Sequence, residues 1–288
     1  MDLATIETWD LGYRGDTARH RTADGCELYY ELEGEGPCVT FVSTIYVVST
    51  AWRNFTRRVV TENRILTYDL RNQGASSGEP KGFDQHVDDL VSLLDHLGIE
   101  RTHLVGSSIS TLICRDFAVR HPDRVSGLIL VGPPISPWGS KRRTRITRSW
   151  LAALESGGPR ALFDAIYPLV FGDRTQAIGG TATYLALRER FLATNSTAQL
   201  RANLSDALDP SEDVAMLTRV AAPTLLLGGD DDFCISPSGL RLLAETMPDA
   251  TAEIFDECGH LPFFEHTDRF EESLRDFVRG VEARRTRQ

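Results

Sequence analysis

The stretch RTHLVGSSISTLICRDFAVRHPDRVSGLILVGPP, Arg101–Pro134, decides the fold. Its opening residues Thr102–Gly106 read as a strand that breaks abruptly at Ser107-Ser108-Ile109. Beyond the break the pattern is that of an amphipathic helix, ended by His121-Pro122, and Val125–Val131 is a second buried strand. A strand that turns straight into a helix around Gly-x-Ser is a nucleophile elbow. The turn is so tight that its central residue is strained and its hydroxyl stands clear of the sheet. That residue is Ser108, with Gly106 before it and Ser110 after it. Helix and strand pack closely at the last of these positions, so a small side chain such as Ser110 is tolerable there.

Strand and helix patterns alternate on both sides of the elbow. Upstream, Glu27–Gly34 alternates apolar and polar residues and Cys38–Ser43 is a continuous apolar run. The turn-formers Gly34–Pro37 between them predict an opening hairpin. Trp52–Val60 reads as a helix, Arg64–Leu70 as a buried strand, and Arg71–Gly78 as a loop. Asp84–Leu97 is an amphipathic helix closed by Gly98. The alternation stops over Ile135–Leu217, which is helical in pattern with breaks at Gly157-Gly158-Pro159, Gly179-Gly180 and Pro210. It resumes with the strand Thr224–Leu227, a helix at Leu240–Met247, the strand Thr251–Phe255 and a last helix over Thr267–Glu282, followed by a charged tail expected to fray. This order predicts an α/β protein: a mostly parallel sheet with helices on both faces. The insertion is too long for a structureless loop. The expected division is a core of 1–134 and 218–288 carrying a helical lid, 135–217, over the C-terminal edge of the sheet, where such folds bind ligands.

The 288 residues are 41% hydrophobic and 25% charged, enough apolar content for a substantial core. A formal net charge of -10 argues against nucleic-acid binding, which needs a basic face. No stretch approaches the ~20 apolar residues of a membrane span, and the N-terminus lacks a basic region ahead of an apolar one. Cys26, Cys38, Cys114, Cys234 and Cys258 are odd in number and scattered, which suits reduced thiols better than disulfides. None has the spacing of a zinc site. The expectation is a cytoplasmic protein with no metal, no cofactor and no membrane or nucleic-acid partner.

With its elbow so placed, the chain resembles the α/β-hydrolase family, in particular its enol-lactonase and esterase-like branch. The family's motif is Gly-x-Ser-x-Gly, and Ser110 departs from it at the last position. The resemblance covers about 25–135 and 220–280. It implies a Ser, Asp, His order of catalytic residues along the chain, because a serine hydroxyl needs a base and the base needs a carboxylate to hold its tautomer. Ser108 is then the nucleophile. The acid falls on Asp232 in the Asp230-Asp231-Asp232 run, with Asp231 its rival. The base is His260, in a Gly259-His260-Leu261-Pro262 stretch similar to the family's Gly-His-x-Pro loop. Singly, these residues could be a turn serine, a solvated acidic turn and a core histidine. Their placement after the right strands is what weighs against coincidence.

Two backbone N–H groups must also face the developing oxyanion. One is expected from Ile109. The other normally follows a His-Gly pair, where this chain has Ser43-Thr44, so it falls to Ile45, with Thr44 the alternative. The run Asp69-Leu70-Arg71-Asn72-Gln73-Gly74-Ala75-Ser76 resembles the family's Asp-x-Arg-Gly-x-Gly-x-Ser loop, which braces the oxyanion segment; Asn72 replaces a glycine.

The insertion has no family counterpart in this reading. It opens with Lys141, Arg142, Arg143, Arg145 and Arg148, which read first as a solvated helix start. The functional alternative is a docking patch for an anionic substrate or an acidic acyl carrier. Trp138, Trp150, Phe163, Tyr167, Phe171, Tyr184 and Phe191 offer an apolar pocket wall. The resemblance implies hydrolysis of a small ester, thioester or lactone through an acyl-enzyme, the acyl substrate being free or carrier-bound. Elimination, acyl transfer or C–C cleavage of a biosynthetic intermediate stays open, as does a ligand-binding receptor with a slow triad.

Overall fold

Runs of apolar residues that are buried on both faces form the centre of one eight-stranded sheet. The computed structural model of the protein describes residues 2–15, 17, 19–136, 138–208 and 214–287. Its strands are β1 (Arg19–Arg21), β2 (Glu27–Glu33), β3 (Cys38–Val42), β4 (Arg64–Tyr68), β5 (Thr102–Ser107), β6 (Val125–Val131), β7 (Thr224–Gly229) and β8 (Ala250–Phe255). Their order in space is β1-β2-β4-β3-β5-β6-β7-β8. All pairs from β4 to β8 are parallel, whereas β2 is antiparallel to both β1 and β4. Every residue of β5, β6 and β7 is buried, as expected of parallel strands with helices on both faces.

The helices are α1 (Leu3–Glu7), α2 (Phe83–His96), α3 (Ser110–Arg120), α4 (Lys141–Val170), α5 (Asp173–Thr194), α6 (Thr197–Asp206), α7 (Pro237–Thr246), α8 (Pro262–Glu265) and α9 (Thr267–Arg285). Leu90 and Leu94 of α2, Leu112 and Phe117 of α3 and Leu240 and Leu243 of α7 bury one face of the sheet. The other face packs against Trp52, Phe263 and Phe270, Leu274 and Val278 of α9, and continues into residues of α4 to α6. The α/β architecture expected from the alternation is therefore the one observed.

Three local expectations are corrected. β2 and β3 do not form a hairpin, because β4 lies between them. Gly34 and Gly36 lie against the backbone that enters β4, where a Cβ on either would collide with the carbonyls of Asn63 and Glu62. The Arg64 N–H donates to the Pro37 carbonyl at 3.1 Å, which aligns β4 with β3 instead. The real hairpin partner of β2 is β1, three polar residues with no strand signal. Trp52–Val60 is not an α-helix: a 3-10 segment, Ser49–Asn54, ends where the Asn54 side chain bonds the Ala51 and Asp10 carbonyls at 3.1 and 3.2 Å. Finally, α9 runs on to Arg285 rather than fraying at Glu282.

Inside the inserted segment, α4 and α5 kink at Gly158 (φ 71°) and Gly180 (φ 56°), two of the three expected breaks. The third, Pro210, lies outside the described residues.

The loop after β4 is held by charge. Arg71, 2% exposed, makes a two-pronged pair with Asp89 of α2 at 2.9 and 2.7 Å and a second with Asp24 at 2.9 and 3.1 Å. Asp89 is as deeply buried, so deleting the guanidinium leaves an uncompensated charge. Arg71→Leu should lower the unfolding free energy by about 3–5 kcal/mol in urea titration, far more than removing an exposed ion pair.

Candidate active site

Ser108 sits between the end of β5 and the start of α3 at φ 53°, left-handed backbone that a non-glycine residue avoids unless its surroundings impose it. They do. The Ser108 N–H donates to the Val131 carbonyl at 2.8 Å, pinning the turn to the neighbouring strand. The Ser110 hydroxyl accepts from the Ser107 N–H at 2.9 Å and lies 3.0 Å from the Val42 carbonyl, so this departure from glycine ties the turn to β3. A Cβ on Gly106 would stand 2.7 Å from the Cys114 sulfur and 2.9 Å from the Ser110 carbonyl oxygen, so β5 and α3 can approach this closely only through glycine.

The structure brings together the three side chains that the sequence pointed to. His260 Nε2 is 2.8 Å from Ser108 Oγ, and His260 Nδ1 is 2.9 Å from both carboxylate oxygens of Asp232. Asp232 is fully buried there and also accepts from the Cys234 N–H at 2.7 Å. Its neighbours have other partners. Asp231 accepts from the Asp173 N–H at the start of α5 at 3.1 Å, and Asp230 accepts from the Cys258 N–H at 3.0 Å. Cys258 is buried, and burial raises its thiol pKa.

His260 is further held by groups that carry no motif. Gly132 turns at φ 54° directly beneath the imidazole, where a Cβ would meet the ring at 2.8 Å. The His260 N–H donates to the Val170 carbonyl at the end of α4 at 2.8 Å. Glu265 accepts from the Gly259 N–H at 2.9 Å and from the Gly172 N–H at 3.0 Å, joining the histidine loop to the inserted helices. Burial raises the Glu265 pKa.

Ile45 lies in a turn closed by the Val47 N–H on the Thr44 carbonyl at 3.1 Å. Gln73 donates to the same carbonyl, and the buried Asp69 accepts from the Ser49 and Ala75 N–H groups at 2.7 and 2.9 Å. The Asp69 loop thus braces this turn. Asn72 takes its glycine position at φ 58° and bonds Asn203 of α6. Among the described residues, neither the Ile45 nor the Ile109 N–H donates to a protein acceptor.

Ser108, Ile109, Ile45 and His260 line a cavity of about 160 Å³ with a mainly apolar wall. Trp150, Phe163, Tyr167, Phe171 and Phe191 of the insertion contribute to it as expected. Tyr184 packs behind them on Phe163 and Tyr167, and Trp138 is 89% exposed. Trp9, Phe55, Phe233 and Phe264 also line the cavity. Sequence reasoning missed them; only Phe233 and Phe264, beside Asp232 and the histidine loop, sat where a signal could have been sought. No group of three or more His, Cys, Asp or Glu among the described residues could hold a metal ion.

Residues 41–273 match the family model of the alpha/beta hydrolase family. The chain belongs to the α/β-hydrolase family. This hydrolase is 30% identical over 277 residues to a 2-hydroxy-6-oxononadienedioate/2-hydroxy-6-oxononatrienedioate hydrolase of Cupriavidus pinatubonensis, covering 89% of this chain and 88% of that protein. Its fold superposes on a thermophilic esterase from Thermogutta terrifontis with a TM-score of 0.78 at 25% identity, over 94% of this chain and 99% of that one. The enol-lactonase from Burkholderia xenovorans gives 0.76 at 23% identity, over 91% and 99%. The chain is an enzyme of this family, and among its described residues no helix is long and apolar enough to cross a membrane.

The Glu265 clamp has a pH consequence. Its folded-state pKa is raised, so the fold favours the protonated carboxyl and loses stability as pH rises from the ordinary value of 4.5 through the raised one. Glu265→Gln cannot ionise. Melting temperatures across a pH series should therefore show a flatter profile for Glu265→Gln in that window.

Proposed function

We propose that the protein hydrolyses a small ester, thioester or lactone through an acyl-enzyme on Ser108. The observation that carries this reading is the hydrogen-bonded line Asp232–His260–Ser108, with Ser108 held at the elbow and open to an apolar cavity. His260 Nε2 takes the hydroxyl proton as Ser108 Oγ bonds to the substrate carbonyl carbon, while Asp232 holds Nδ1–H toward itself. The N–H groups of Ile109 and Ile45 receive the oxyanion, each donor being worth about 3–4 kcal/mol in comparable sites. Collapse expels the alcohol, thiol or ring oxygen with the proton from His260. Water then attacks the acyl-Ser108 ester by the same route and releases the acid. The helices of 135–217 act as a lid that excludes water and shapes the acyl pocket, without supplying reacting groups. That segment contains neither histidine nor cysteine. The site of action is the cytoplasm, where five scattered thiols stay reduced.

The relatives bear on the substrate as well. The Cupriavidus relative is named for a dienedioate, a dicarboxylate, rather than for an ester. The wall of this cavity is largely apolar, which suits an acyl chain, and it also includes the cationic residues Arg143 and Arg190. Hydrolysis in labelled water places one solvent oxygen in the acid product, which elimination and acyl transfer do not.

A fluorophosphonate probe should add a single label to the peptide containing Ser108 and none to Ser108→Ala. Asp232→Asn should lower kcat by about 10³–10⁴, as loss of a tautomer-fixing carboxylate does. Asp231→Asn, which only weakens the cap on α5, should stay within a few-fold. The reverse ranking would overturn the assignment.

The basic cluster is split by the fold. Arg143 is buried and donates to the Ala207 carbonyl, whereas Arg142, Arg145 and Arg148 are exposed on the outer side of α4, whose inner side reaches the cavity through Ile146 and Trp150. If the substrate is anionic or carrier-bound, replacing these three by serine raises KM for it severalfold at low salt, and the difference fades at high salt. Neutral p-nitrophenyl esters should be unaffected.

A further inference from the structure

Two residues that line the cavity carry a buried polar group that the hydrolytic chemistry does not use. Of the buried side-chain polar atoms without a hydrogen-bond partner among the described residues, two belong to residues that line the cavity: the Tyr46 hydroxyl and the Trp150 indole N–H. Their rings are in contact. The two rings are edge to face with centroids 5.7 Å apart, and Trp150 continues through Phe233 (6.0 Å) to the imidazole of His260 (Phe233 to His260, 4.8 Å). A chain of ring contacts therefore runs from His260 to these two residues, and Tyr46 follows directly on Ile45.

Two other polar side chains of lining residues are engaged: Arg143 donates to the Ala207 carbonyl and Thr194 to the Arg190 carbonyl. A buried donor without a partner costs stability that phenylalanine at the same positions would avoid. An indole N–H can only donate, so whatever meets it must be an acceptor. The donors are neutral and the surrounding rings are apolar, which suits an uncharged oxygen.

Resting on the hydrolytic reading above, we propose that Tyr46 and Trp150 bind an oxygen acceptor within the acyl part of the substrate. The enzyme thereby selects an acyl group bearing a keto, ether or hydroxyl oxygen over a plain hydrocarbon chain of equal length. A site built to hydrogen-bond a substrate discriminates against the analogue lacking that group, because its own donors are then left buried and unmet.

The test uses p-nitrophenyl hexanoate and matched esters in which one chain methylene is replaced by an ether oxygen or a carbonyl, moved position by position. Wild type should favour one position by about ten- to a hundred-fold in kcat/KM. Tyr46→Phe and Trp150→Phe should each lower the kcat/KM ratio of the favoured oxygenated ester over hexanoate by about ten-fold, whatever each does to hexanoate itself. Absence of any preferred position, or equal losses on hexanoate and its oxygenated analogue, would overturn the proposal. Calorimetric affinities of the corresponding non-hydrolysable amides give a readout independent of turnover, and equal binding of plain and oxygenated amides would also overturn it. Failure of the hydrolytic reading shows up separately, as absent Ser108 labelling with the amide preference intact.

Discussion

A left-handed backbone at Ser108 is the constraint on which the rest of the site depends. Such a conformation costs about 1–2 kcal/mol in an L-residue and does not persist alone. Here it is over-determined by the Val131 carbonyl, the Ser110 hydroxyl and the close approach of β5 to α3 at Gly106. The turn carries the hydroxyl clear of the strand and presents it to the cavity. It also frees the Ile109 N–H, at the first residue after the turn and ahead of α3, from any intrahelical acceptor.

The partner of Ser108 is positioned less by the sheet than by the inserted helices. Gly259 and Gly172 approach so closely that a Cβ on Gly259 would stand 2.5 Å from the Gly172 nitrogen. Across that contact, Glu265 bonds both glycine N–H groups, Asp231 caps α5, and Val170 accepts from His260. Segments that shape the pocket therefore also hold the histidine loop. Substitutions at the α4–α5 junction act on His260 as well as on substrate fit, a physical route by which selectivity and rate become linked in this enzyme.

The proposed oxyanion side is built by another principle. Where the family pattern has His-Gly, Ser43 turns inward and donates to the Tyr68 carbonyl at 2.6 Å. The turn at Ile45 is held from below by Gln73, which is held by the Asp69 loop, and that loop is anchored by Arg71 between Asp24 and Asp89. A backbone N–H needs no particular side chain of its own, so the segment can vary while its support does not.

The sequence by itself determined the α/β architecture, the elbow at Ser108 and the order of Ser108, Asp232 and His260, because these rest on local signals: hydrophobic periodicity, turn chemistry and short motifs near strand ends. Ser110 was legible as a tolerated departure, yet its hydroxyl bonds were not, since their acceptors lie on β3 and β5. Strand order was decided only in three dimensions. The apolar β3 needed neighbours on both edges, and β4 came between it and β2, which no turn at Gly34–Pro37 could announce. The separate duties of Asp230, Asp231 and Asp232 were equally hidden, because three adjacent carboxylates look alike until their partners, Cys258, Asp173 and His260, arrive from elsewhere in the chain. The cavity wall belongs to the same class. Trp9, Phe55, Trp150 and Phe264 are far apart in sequence, and only tertiary packing turns them into one surface, because hydrophobic burial is non-directional and leaves no local signature of which residues will meet.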